Sequence, residues 1–174
     1  SIVPGDTIWN KSSGSGLSDY EFAYEDGVLF RPGAAGIVAI YAENGSRKWS
    51  GPYEPDGYSA QTSAGLSANH AIYAYSTGSY TRVVGVNKST GAKAWETNAG
   101  GDRFDGGVDV HEGIAYIGGG RANNVAAINA KNGSVVWNST VPNGAVHSQP
   151  LYHDGAEYVV SEDGGFYALD ATDG

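Results

Sequence analysis

The side chains best suited to chemistry recur at nearly equal spacing. Asp19, Thr62, Asp105 and His147 stand 43, 43 and 42 residues apart. Brought to one opening by a repeating fold, they would set two carboxylates, a hydroxyl and an imidazole around it. Such a set can take a cation or a small polar ligand. Hard cations want roughly six to eight oxygen ligands, and these residues offer few, so no metal site is assigned. The other outcome is an opening lined only by water. Asp102 and Arg103 lie in Gly100-Gly-Asp-Arg-Phe-Asp-Gly-Gly107, the least repetitive stretch of the chain. This is either a ligand-contacting loop or a surface loop whose charges neutralise one another. His111 and His153 are each followed by an acid and sit at the same point of two repeats. They are expected on the rim and well apart, as shared ancestry and not as a metal pair.

A second group of residues points to modification. Asn-x-Ser/Thr occurs at Asn10, Asn44, Asn87, Asn132 and Asn138, never with Pro in the middle. Each is a sequon for an N-linked glycan on an extracellular chain. Two of them, Asn44-Gly-Ser and Asn132-Gly-Ser, are also turn sequences that Asn-Gly favours for backbone reasons alone.

Composition removes other classes of function. The chain has 174 residues, 10 Lys+Arg against 19 Asp+Glu, and a net charge of −9. An acidic chain has no basic footprint for a phosphate backbone, so no nucleic acid is expected. Cys is absent, which excludes disulfides, thiolate nucleophiles and Cys-ligated metals. No apolar run is long enough to be a transmembrane segment. There is no Gly-x-Ser-x-Gly elbow and no Gly-Lys-Ser/Thr phosphate loop. Met is absent too, and the chain begins at Ser1, which reads as a processed chain or a slice of a longer one.

The elements that must position these residues come from the repeat. Trp9, Trp49, Trp95 and Trp137 are 40, 46 and 42 residues apart, each four residues after a Gly. Apolar runs precede the later glycines: Gly36-Ile-Val-Ala-Ile-Tyr-Ala-Glu-Asn-Gly45, Val83-Val-Gly-Val-Asn-Lys-Ser-Thr-Gly91, Val125-Ala-Ala-Ile-Asn-Ala-Lys-Asn-Gly133 and Gly165-Phe-Tyr-Ala-Leu-Asp-Ala-Thr-Asp-Gly174. Upstream of these lie Tyr24-Glu-Asp-Gly-Val, Val110-His-Glu-Gly-Ile and Tyr152-His-Asp-Gly-Ala, which read as tight hairpins. In Ser67-Ala-Asn-His70 the histidine takes the place of the glycine, which predicts a strained or differently shaped turn. The fold expected is all-β: a propeller of four four-stranded antiparallel blades, essentially without helix. The single domain, 1–174, divides into repeats at about 11–50, 51–96, 97–138 and 139–174 plus 1–10. The N-terminal strand could complete the fourth blade and close the ring. The alternatives are a part of a larger ring and two copies joined in an eight-bladed one.

The pattern Ala-Leu-Asp-x-x-x-Gly, with Trp four residues on, resembles the pyrroloquinoline-quinone (PQQ)-type β-propeller repeat. It stands at Ala127-Ile128-Asn129 to Gly133 and Trp137, and at Ala168-Leu169-Asp170 to Gly174. The second copy has Gly85-Val86-Asn87 to Gly91 and Trp95, whereas the first departs with Tyr41. The resemblance implies that the four Trp pack between neighbouring blades. It spans quinoprotein dehydrogenases, outer-membrane assembly scaffolds and extracellular proteins of archaea and bacteria, so the fold alone does not choose a chemistry. The dehydrogenases of the family imply vicinal Cys, a Trp floor and a calcium site with a catalytic Asp. Here Cys is absent and all four Trp belong to the blade pattern, so no cofactor and no enzyme activity are expected. The expected role is a non-catalytic extracellular structural or adhesive component of a cell surface or filament, partnered by other protein subunits or by self-assembly. The alternatives are a ligand- or glycan-binding module and a degenerate quinoprotein-like dehydrogenase.

Overall fold

A computed structural model of the chain describes residues 6–11, 21–33, 36–51, 60, 62–76, 81–100, 104, 106–120, 123–141 and 144–174. They form four antiparallel sheets in chain order. The first holds β1 (Ala23–Glu25), β2 (Val28–Gly33), β3 (Gly36–Tyr41) and β4 (Arg47–Ser50). The second holds β5 (Gly65–Leu66), β6 (His70–Ser76), β7 (Thr81–Asn87) and β8 (Lys93–Gly100). The third holds β9 (Val108–His111), β10 (Ile114–Gly119), β11 (Asn124–Asn129) and β12 (Val135–Thr140). The fourth has three strands among the described residues: β13 (Leu151–His153), β14 (Ala156–Val160) and β15 (Phe166–Asp170). No helix occurs among the described residues. The first strands of successive sheets lie side by side, β1 on β5, β5 on β9 and β9 on β13. Each sheet is therefore a blade whose inner strand neighbours the next blade's inner strand.

The hairpins follow the residues that build them. Asp26-Gly27, Glu112-Gly113 and Asp154-Gly155 all have positive φ at both positions, from 46° to 50° at the acid and 77° to 83° at the glycine. That is the geometry of a two-residue turn whose twist matches its strands. The second blade differs, as expected, but by another route. Cross-strand pairing puts Asn69 at the glycine place, and neither Ala68 nor Asn69 has positive φ. Ser67 closes the turn instead, with its hydroxyl accepting from the His70 N–H at 3.1 Å. His70 is the first residue of β6, where blades one, three and four carry Val28, Ile114 and Ala156.

The register is the same in the three complete blades. Phe30 pairs Ala39, which pairs Trp49; Ile72 pairs Gly85, which pairs Trp95; Tyr116 pairs Ala127, which pairs Trp137. The ladder shifts beside each of these Trp. A bulge there twists the outer strand. The residue opposite the indole is small because the ring lies across it: a Cβ on Gly85 would come within 2.5 Å of Trp95.

The core consists of three layers between blades. Val28, Phe30, Ile37, Ala39 and Trp49 of the first blade meet Ala71, Tyr73, Tyr75, Val84 and Val86 of the second. Ile72, Ala74, Val83 and Trp95 meet Ala115, Ile117, Ala126 and Ile128. Tyr116, Val125, Ala127 and Trp137 meet Val146 and Val159, with Tyr167 and Leu169 packed against them. Alternation along each strand gives every blade one face toward the preceding blade and one toward the following blade.

Candidate functional site

The residues that mark the repeat converge on the joints between blades. Trp49 donates its indole N–H to the Lys88 carbonyl at 2.9 Å, Trp95 to Ala130 at 3.2 Å and Trp137 to Ala171 at 3.0 Å. Each accepting residue is the first of the Gly-bearing turn of the following blade. Its own N–H is held by the inner hairpin of its blade, Lys88 by Asn69, Ala130 by Gly113 and Ala171 by Gly155, at 2.8–3.0 Å. One residue thus ties the inner turn of its own blade, through its N–H, to the outer strand of the one before, through its carbonyl.

The glycine that closes each of these turns receives the Trp of the preceding blade, not the Trp that follows it in sequence. Gly91 lies under Trp49, Gly133 under Trp95 and Gly174 under Trp137, where a Cβ would come within 2.7, 2.6 and 3.1 Å of the indole. These glycines also have positive φ, so no other residue meets both demands. Trp9 repeats the arrangement on the first blade: it donates to the Ala42 carbonyl at 2.8 Å and lies over Gly45. Trp9 is half-buried, and residues 6–11 form no strand; the strand expected to complete the fourth blade is not formed there.

Second donors reinforce the joints. His70 shares the Ala130 carbonyl through Nδ1 at 2.9 Å and meets Trp95 edge-on. Tyr116 donates its hydroxyl to the Ala171 carbonyl at 3.2 Å, and its pKa is pushed up to about 12 by burial and then by the Glu157 charge. Lys88 forms an ion pair with Glu25 across the first joint. The half-exposed ring of His111 stacks on Tyr152 of the next inner strand, with centroids 3.6 Å apart.

The candidate ligand residues fall as follows. Thr62 is fully buried, and its hydroxyl accepts the Ala74 N–H at 2.8 Å within its own blade. His147 is exposed and faces Glu162 at 3.2 Å. Asp19 and Asp105 lie outside the described residues, as do Asp102 and Arg103. Among the described residues no three His, Asp or Glu gather in a way that could hold a metal. Of the sequons, Asn10 is exposed. Asn44 and Asn132 turn their side-chain oxygens back onto Ser46 and Ser134, and Asn87 onto Ser89 and Thr90. Asn138 donates its amide to Ala99 across the joint and accepts from Asn124.

Two features escaped the sequence reading. Glu157 is fully buried on β14, and neither carboxylate oxygen has a hydrogen-bond partner. Burial, then the charge of Asp109, pushes its pKa up to about 8. The signal was there: the same position holds Leu29, Ala71 and Ala115 in the other blades. The second feature is the following-blade face of the fourth blade. Leu151, Tyr158, Val160 and Phe166 lie exposed on it, around an apolar hollow of about 410 Å³ edged by Ser148 and Gln149. Phe166 is 85% exposed, whereas its counterparts Ile37, Val83 and Val125 are at 0–1%.

Known proteins share this architecture. The family model described as outer membrane protein assembly factor BamB matches residues 2–103 and 79–174. The crystal structure of BamB from Moraxella catarrhalis superposes with a TM-score of 0.77 at 19% identity, over 95% of this chain and 50% of that one. The computationally designed Ika4 protein gives 0.76 at 12% identity, over 95% and 98%. The quinohemoprotein alcohol dehydrogenase of Comamonas testosteroni gives 0.69 at 16% identity, over 88% and 33%. This chain thus spans half the length of the BamB chain. No curated protein matches it in sequence.

Proposed function

The chain belongs to the PQQ-type β-propeller repeat family of outer membrane protein assembly factor BamB, and from that premise we propose that it is a non-catalytic scaffold, a structural or adhesive component of the cell surface that works by holding other protein subunits. The observation that carries the reading is the use to which the repeat residues are put. The Trp, the turn glycines, His70 and Tyr116 are all engaged in joining blades. The fourth blade carries an exposed apolar sheet face, which suits protein partners more than a small substrate.

A quinone cofactor does not fit the residues present. The indoles of Trp49, Trp95 and Trp137 are covered by neighbouring blades. There is no Cys, and no carboxylate cluster able to hold a metal occurs among the described residues. The acidic charge and the five sequons support an outward location.

Protease treatment of intact source cells tests the location, and peptide mass spectrometry tests the sequons. The expected result is release of this chain's peptides from intact cells, with sugar on Asn10 or on the turn asparagines Asn44 and Asn132. Peptides that appear only after lysis would overturn the surface role. Five unmodified asparagines would remove the glycans.

A further inference from the structure

We propose that the open face of the fourth blade is the docking surface for the first blade of a second copy of this chain, and that two such contacts close a ring of two chains and eight blades. The proposal names the partner for the scaffold role above.

The face is continuous in kind with three joints already formed. Tyr158 stands where Phe30, Ile72 and Tyr116 stand, and Phe166 where Ile37, Val83 and Val125 stand. The counterparts are 0–3% exposed, each covered by the following blade, whereas Tyr158 is 45% exposed. The fourth blade therefore presents the residues of a joint without the blade that would cover them.

The complementary surface is on the first blade. Leu29, Arg31, Val38 and Ile40 point toward a preceding blade and are only half-buried. Their counterparts Ala71, Tyr73, Val84 and Val86 are fully buried, as are Ala115, Ile117, Ala126 and Ile128. Trp9 is already seated on Ala42 and Gly45 of that blade, as Trp49, Trp95 and Trp137 are seated on theirs. A first blade arriving from another copy would thus bring to the fourth blade the Trp segment that its three strands lack.

The geometry points to two copies rather than closure within one chain. The two faces do not cover each other here, since Phe166 is open. The four blades superpose over 95% of their length on half of a larger propeller chain, a ring geometry with room for a second set of four. A contact that is head-to-tail is harmless when its rotation closes a ring and fibre-forming when it does not.

Native mass spectrometry at micromolar concentration reads the outcome. The chain should run at twice 18.0 kDa, and Phe166→Asp, with its far-UV circular dichroism unchanged, at the single mass. Because the chain has no cysteine, Phe166→Cys and Val38→Cys can be paired cleanly. A short bis-maleimide should join the two variants when they are mixed and neither variant to itself. A wild-type chain at the single mass would overturn the proposal. So would a cross-link confined to the double variant within one chain, because it would mean that the ring closes on itself. A two-chain ring absent from the cell surface would overturn the location and leave this inference standing.

Discussion

The joint between the second and third blades and the free face of the fourth are built from the same residue pattern and end in opposite environments. At the joint, Val83 and Ile72 are covered, and Trp95 reaches the Ala130 carbonyl. On the fourth blade Phe166 and Tyr158 hold the corresponding positions in water. The pattern specifies a face that can be covered; coverage comes only from a following blade. Stability should therefore be concentrated at the joints and thin at the two end faces.

The largest effect that could break this contrast is at Trp95. Trp95→Ala removes a ring that is 9% exposed and should cost about 3–5 kcal/mol, read by denaturant unfolding. An unchanged midpoint would mean that the joint is not where stability resides.

Glu157 sharpens the contrast through pH. Its carboxyl is held protonated in the fold, with a pKa near 8, and is released to an ordinary carboxylate value on unfolding. The folded chain then binds more protons than the unfolded one between about pH 4.5 and 8, so stability falls as pH rises through that window. Glu157→Gln should flatten the fall and gain on the order of 4 kcal/mol over the native chain at pH 9. A native stability that is level from pH 5 to 9 would contradict the unpartnered burial.

Trp9 tests the end face directly. It makes the same hydrogen bond as its relatives but is only half-buried, so Trp9→Ala in the single-mass Phe166→Asp chain should cost about 1 kcal/mol. A loss equal to that of Trp95→Ala would put the first blade's outer face inside a completed joint. The smallest effect is at Tyr116. Tyr116→Phe keeps the ring and removes the bond to Ala171, for roughly 0.5–1.5 kcal/mol. A larger loss would mean that the phenol carries more than that one bond.

Much of this was legible in the residues. The Trp spacing, the acid-Gly turns and the alternating runs led to blades because a hairpin turn and a pleated strand are local: their residues are neighbours in the chain. The second turn shows where locality ends. His70 read as a turn residue, but pairing of β6 with β7 makes it a strand residue whose ring crosses to Ala130. The glycine before each Trp was visible as a spacing, yet it receives the indole of the preceding repeat. The column of Asp19, Thr62, Asp105 and His147 assumed four equivalent positions, and Thr62 is turned into its own blade by the Ala74 N–H.

By itself, then, the sequence determined the repeat, its turns and the kind of residue on each face, since all of these follow from backbone preference and alternation over a few residues. Which blade each Trp serves, the burial of Glu157 without a partner and the uncovered apolar face of the fourth blade emerge only once the blades are packed. Those depend on residues 33 to 60 positions apart meeting across a joint, and no local preference encodes which surfaces will meet.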